Sequence, residues 1–240
     1  MNISGLSLKE GNFGFDGGAI ENKGVLSLMD CEISGNSTSF SGGGISNETG
    51  GQLIVTNCKI TNNTATGGGG GIANFDGTVT VVGSTVSGNK ALLFNGGGLT
   101  NNSAIPTAPL DNPGTMTVID STISNNTGGG FDNRNGSMLT LKNTTITGNQ
   151  ATNGGSGGGV LNGAYGTATI INCTITNNEA DFRGGGIDHS EGPQGTLTMK
   201  NTIVAGNKRN GRESSSKLVL MRILKCGYSL SMTTLRSVNS

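Results

Sequence analysis

Tryptophan is missing from this chain, aromatic residues make up only 4% of it, and charged residues only 12%. Ordinary globular domains carry roughly a quarter charged residues, so a conventional core with a conventional charged surface is excluded. The single histidine and the absence of any Cys-x-x-Cys among the four cysteines leave no way to complete a Cys/His zinc site. No cofactor or metal is therefore expected. No stretch approaches the ~20 consecutive apolar residues of a membrane-spanning helix, so no transmembrane segment is expected either. Basic residues are scarce where they would matter for nucleic acid: residues 1–207 hold 8 Lys and Arg against 14 Asp and Glu. An acidic body lacks the clustered basic face that phosphate binding needs. Met1–Asn12 lacks the charged start and apolar centre of a secretory signal, and it lies inside a repeat, so a missing upstream segment is expected.

What the chain has in excess is glycine, 44 residues of it, in clusters such as Gly67–Gly71 separated by β-branched runs. Glycine at every third position would mean collagen, and glycine without β-branched neighbours would mean a linker; neither applies here. A repeat is the remaining explanation.

Seven segments superimpose: Leu26–Asn36, Leu53–Asn63, Val79–Asn89, Met116–Asn126, Leu139–Asn149, Ala168–Asn178 and Leu197–Asn207. Each reads as a short alternating strand, a small polar residue, Cys/Ser/Thr, any residue, Ile/Val, two residues and Asn. The β-branched anchors Ile33, Ile60, Val86, Ile123, Ile146, Ile175 and Val204 are 27, 26, 37, 23, 29 and 29 residues apart. The long step contains Asn102–Gly114, with three of the four prolines, and reads as a loop thrown out of one coil. Between these segments, two or three glycines precede an apolar residue, one further residue and Asn, ending at Asn22, Asn47, Asn74, Asn101, Asn133, Asn162 and, in the last copy, His189.

About three short strands per copy cannot bury a local core, but copies stacked at ~4.8 Å pair each strand with its equivalent. The expected fold is all-β: a right-handed, single-stranded parallel β-helix of about eight coils over residues 1–207. The phase of the alternation resets at Asp30, Asn57, Asn143 and Asn172, where a bend lets Cys31 and Ile33 both face inward. Two asparagine ladders are expected, because Asn tolerates left-handed backbone and its amide can both donate and accept along the stack. Cys31, Cys58 and Cys173 share an inward slot with Ser84, Ser121, Thr144 and Thr202. In-register side chains point the same way, which strains a disulfide between neighbouring coils, so free thiols are expected.

These residues resemble the β-helix repeats of polymorphic outer-membrane and autotransporter-passenger-like surface proteins. Gly17-Gly18-Ala19-Ile20 and Ile33-Ser34-Gly35-Asn36 look like the two motifs of that group, and the resemblance covers about residues 3–207. It implies display outside the cell in an adhesive or structural role, with glycans or cell-surface components as partners. Other members of the wider β-helix class cleave polysaccharides. The chain departs from the group in lacking a barrel domain and an amino-terminal cap, and in having few aromatics before its x-x-Asn positions.

For catalysis the one candidate set is Asp132, Asp188 and His189. Both aspartates fall in the outward row of the strand after the glycines, with Glu21, Ser46, Ala73, Thr100 and Leu161. Carboxylates two coils apart would lie near the upper separation of an inverting glycosidase pair. The simpler expectation is that both are solvated face residues and that His189 ends an Asn ladder. Asp16, Asp76 and Asp132 recur too loosely for a calcium nonapeptide repeat. A second outward row, Ser27, Ile54, Thr80, Thr117, Thr140, Thr169 and Thr198, reads either as a lattice- or glycan-binding surface or as a plain solvent face.

Residues 208–240 reverse the charge, with 7 basic residues against 1 acidic. Lys217–Lys225 and Cys226-Gly227-Tyr228-Ser229-Leu230 are open to three readings: a cap on the last coil, a frame change, or a basic amphipathic segment. Poor packing is expected over Arg209–Ser216.

Overall fold

A computed structural model of the chain describes residues 1–93, 95–102, 113–189 and 195–213. It is a parallel β-solenoid in which every contact between coils is in register. Four sheets run along the axis. Sheet I stacks eight strands from Asn2–Ser4 to Thr196–Lys200, and sheet II stacks eight from Ser7–Lys9 to Ile203–Ala205. Sheet III is a ribbon of two-residue strands from Asn12–Phe13 to Lys208–Arg209, continued through Thr127 by single bridges. Sheet IV stacks seven strands from Ile20–Asn22 to Ile187–Asp188.

The anchor column aligns as its spacing requires: Ile33, Ile60, Val86, Ile123, Ile146, Ile175 and Val204 are successive partners. All but Val204, at 7%, are fully buried. Burying one such aliphatic side chain contributes about 1.5–3 kcal/mol. A column of them lets coils of different length share one continuous core.

The phase reset between sheets I and II is a left-handed residue. Asp30, Asn57, Asp120, Asn143, Asn172 and Asn201 have φ between 49° and 55°, and Gly83 fills the same place. Cys31, Cys58, Ser84, Ser121, Thr144, Cys173 and Thr202 follow it and are buried. Each donates its thiol or hydroxyl to the carbonyl two residues back, as Ser84 Oγ does to Val82 O at 2.9 Å and Cys58 Sγ to Thr56 O at 3.2 Å. Those carbonyls already accept a backbone N–H from the preceding coil, as Val82 O does from Asn57 N at 3.0 Å, and the slot side chain in turn accepts the slot N–H one coil back, as Ser84 Oγ does from Cys58 N at 3.0 Å, a pair of roles that Cys, Ser and Thr share.

Both ladders are present, but their mechanism differs from the expectation. None of the ladder asparagines has positive φ; in the first ladder the left-handed residue is the one before, alternately Gly35, Asn62, Gly88, Asn125, Gly148, Asn177 and Gly206. The ladder Asn is selected for its amide alone. Asn89 Oδ1 accepts from Asn63 N at 3.0 Å and Asn63 Nδ2 at 2.9 Å, while its own Nδ2 donates to Ile60 O at 2.9 Å and Asn126 Oδ1 at 3.1 Å. All the side chain's bonding capacity is used where no water reaches. A third, exposed ladder joins Asn201, Asn172, Asn143 and Asp120.

One further expectation needs correction. Most coils carry a fourth short strand, that of sheet III, reduced to single bridges at Thr127 in the short coil; it was missed because two residues cannot show an alternation. Its sequence trace is the buried alanine two residues after the ladder Asn, at Ala65, Ala91, Ala151 and Ala180. The order also extends past Asn207. Lys208–Arg209 pairs parallel with Glu179–Ala180, and Arg212–Glu213 turns back antiparallel on it, while residues 214–216 lie outside the described residues. Most of the loop at Asn102–Gly114 and the sequence from Ser214 onward lie outside the described residues.

Replacing Asn89 with Ala strands at least three buried polar groups, each costing about 1–3 kcal/mol. Urea unfolding should show a loss of about 3–4 kcal/mol for Asn89→Ala, against under ~1 kcal/mol for Asn172→Gly in the exposed ladder, which keeps the left-handed backbone.

Candidate functional site

Sheet IV carries the candidate carboxylates, and past its first strand, where Glu21 is exposed, its outer face is covered. Ser46, Ala73, Thr100, Asp132, Leu161 and Asp188 are all at most 5% exposed. The cover is the segment between sheets III and IV, which folds back over the strand it precedes and reaches the strand of the next coil, where an added Cβ on Gly96 would lie 3.0 Å from Asp132 Cβ. A left-handed glycine four residues before each outward side chain makes this possible. At Gly42, φ is 71° and an added Cβ would lie 2.5 Å from Ile45 O; at Gly96, φ is 76° and it would lie 2.2 Å from Thr100 Oγ1. Glycine here permits both the backbone conformation and the close approach. Amides of this wall pair from coil to coil, as Gly43 N does with Gly69 O at 3.0 Å.

The expectation that Asp132 and Asp188 are solvated is therefore overturned. They do share one row two coils apart, with Leu161 between them. Each faces a guanidinium: Arg134 Nε bonds Asp132 Oδ1 at 2.7 Å, and Arg183 Nε lies 3.7 Å from Asp188 Oδ2. Arg183 also sits over the Phe182 ring at 4.8 Å. Arg134 was missed in the sequence because its partner is two residues away on a strand presumed bare. A general acid must touch the bond it protonates. Beneath the loop wall Asp132 and Asp188 are 4% and 5% exposed.

His189 is exposed and stands at the end of the second ladder, its Nδ1 3.0 Å from Asn162 Nδ2. It replaces an asparagine, and its position is set by the ladder, not by Asp188. The calcium candidates do not converge. Asp16 Oδ1 accepts from Ser41 N at 2.8 Å, Asp76 occupies a left-handed turn position at φ 52°, and Asp132 is held by Arg134. Among the described residues, no three His, Cys, Asp or Glu side chains come together as a metal site would require.

The threonine row on sheet I forms a flat outer rank as expected, half-buried from Thr80 to Thr169 and interrupted by Ile54, 44% exposed. The exposed phenylalanines lie elsewhere, at the end of the first sheet III strand and on the rim formed by the segments between sheets III and IV. Phe13, Phe15, Phe40 and Phe182 are 46%, 64%, 50% and 54% exposed. The rings of Phe15 and Phe40, on adjacent coils, stack at 5.9 Å with an interplanar angle of 15°.

Among the described residues that rim has one gap. The covering segment is residues 92–98 in one coil and 152–159 two coils on, but only 128–130 in the coil between. The two longer segments meet across the gap, Asn153 Nδ2 donating to Leu92 O at 3.3 Å. They roof a notch of about 200 Å³ floored by Ala91 and Gly128 and flanked by Leu92, Leu93, Asn95, Thr152, Asn153 and Arg134. Its trace in the sequence is the 23-residue step from Ile123 to Ile146, the shortest of the six.

These features define the class: a parallel β-helix repeat protein with a capped outer row and an irregular loop rim. A family model described as the right handed beta helix region matches residues 107–218, covering the later coils. No curated protein and no solved structure matches the chain.

Cys31, Cys58 and Cys173 are free and buried, and burial pushes the Cys58 and Cys173 thiols above their usual range. A thiol held protonated and inaccessible does not react. In a Cys226→Ser variant, a disulfide-exchange reagent should titrate no thiol in the native protein at pH 8 and three after denaturation.

Asp132→Ala leaves the Arg134 guanidinium, only 27% exposed, without its carboxylate. Breaking a buried pair from one side costs ~3–5 kcal/mol, and partial exposure reduces this to about 2–3 kcal/mol, measurable by denaturant unfolding.

Proposed function

We propose that the chain is a non-catalytic segment of an extracellular or cell-surface protein, a rigid rod whose loop rim makes adhesive contacts. The observation that carries this reading is the disposition of its chemistry. The candidate acids are sunk beneath the glycine-containing wall and engaged by arginines, while exposed phenylalanines and leucines stand outside it. Surfaces that bind without reacting present apolar and hydrogen-bonding groups on a rigid frame, and aromatic side chains supply large contact areas at low entropic cost. In-register stacking supplies that frame. The resemblance of the repeats to surface-displayed passengers supports the same placement outside the cell, with glycans or other surface components as partners.

The competing reading, a polysaccharide-cleaving fragment using Asp132, Asp188 and His189, requires the wall to move away from sheet IV. Incubation with a panel of plant and bacterial polysaccharides should release neither new reducing ends nor unsaturated products, while immobilised glycans or cell-surface preparations should retain the protein. Turnover abolished by Asp132→Asn would establish the enzyme instead.

A further inference from the structure

The outer face of sheet II carries an array that the fold does not require. Each of its three-residue strands points one residue at the core and two outward, and nothing in the stacking dictates what the outward pair is. Toward the ends of the sheet the pair varies: Glu32 and Ser34, Lys59 and Thr61 and, in the last coil, Ile203 and Ala205. In the four successive coils between, the first of the pair is Thr85, Thr122, Thr145 and Thr174, and the second is Ser or Thr throughout, from Ser87 to Thr176. These strands pair residue for residue, so the hydroxyls recur at ~4.8 Å along the axis and about 6.6 Å across it. Thr145 is exposed and the other seven are half-buried, with no charged side chain and none larger than threonine among them. Among the described residues, no protein group gives a hydrogen bond to these eight hydroxyls or takes one from them. On sheet I, by contrast, Met138 and Lys142 interrupt the ranks, and Thr196 Oγ1 donates to Thr167 Oγ1 at 3.2 Å.

We infer that this face of sheet II binds ice. An ice surface is an uncharged, repeating grid of oxygens that both donate and accept, and each hydroxyl of the array does both as well. The oxygen repeat along the a axis of hexagonal ice is within a few tenths of an ångström of the coil rise, so four coils stay in step with the lattice. Residue-for-residue stacking favours a flat sheet, where an ordinary sheet would twist away from a planar surface. Branching at Cβ restricts χ1, which helps the threonine hydroxyls hold one alignment from coil to coil. A charged side chain would keep a hydration shell that the lattice does not accommodate, and these four coils place none there. One hydroxyl against one water contributes little; eight presented together bind as a single multivalent contact. A crystalline polysaccharide, the other flat lattice, is gripped by aromatic rings, and this face has none. The inference goes beyond the adhesive reading, whose contacts lie on the loop rim.

The test is ice-affinity partitioning and nanolitre osmometry on the full chain. The protein should be taken up by a slowly growing ice front, which rejects ordinary proteins, should facet single ice crystals, and should arrest their growth below the melting point. Thr122→Lys and Thr145→Lys, both outward at the centre of the array, should each narrow the growth-arrest gap about ten-fold, because the lysine holds the remaining hydroxyls off the lattice and forbids their simultaneous engagement. Gln150→Lys, which adds the same charge at an exposed position of sheet III, should leave the gap unchanged. Circular dichroism melts matching the wild type should show that all three variants are folded. Wild-type protein left in the liquid, ice growth indistinguishable from buffer, or folded Thr122→Lys and Thr145→Lys variants as active as the wild type would overturn the assignment. Sedimentation with powdered cellulose or chitin without uptake into ice would overturn it too, and would give the face to a polysaccharide lattice.

Discussion

Every other feature of this molecule depends on one buried asparagine amide meeting the next. In the first ladder, from Asn63 to Asn178, each carbonyl oxygen takes two hydrogen bonds from the previous coil, and each NH₂ gives one bond back to an earlier coil and one onward, as at Asn89. The bonds are short, direct and closed to water. A coil displaced by one residue would bury several unsatisfied groups at once, which makes register effectively all-or-none. Register in turn aligns the aliphatic columns and lets two- and three-residue strands, useless alone, add up to sheets.

Such strict alignment leaves freedom only between the aligned points. The steps between anchors run from 23 to 37 residues while the columns stay in line. Length variation falls between the aligned points, in the long step whose residues 103–112 lie outside the described residues and in the segments between sheets III and IV. The first lengthens one coil. The second varies the wall over sheet IV, and a wall of uneven height produces both the buried aspartates and the notch. A solenoid of this kind holds its core constant and places its individuality on its rim.

The fold was legible because its causes are periodic. The β-branched anchors, the Asn positions and the inward Cys/Ser/Thr slot all recur at coil spacing, and each ended where that spacing places it. His189 was legible for the same reason, as the last member of a column. Sheet III was hard to read because two residues carry no period, and the role of Asn in the turns was half misjudged because the left-handed residue and the ladder residue are neighbours. Asp132 and Asp188 were placed in the correct row but in the wrong environment. Alternation says that a side chain points away from the core; it says nothing about what the preceding loop lays over it.

The sequence by itself determined the stacking, the inward columns, the ladders and the absence of any span of apolar residues long enough for a membrane helix. These follow from local periodicity, and each coil is the template for the next. Only the tertiary structure decided which outward side chains meet water, which arginine faces which aspartate, and where the rim opens. Those outcomes come from loops of unequal length folding back across neighbouring coils, and contacts of that kind leave no period in the chain.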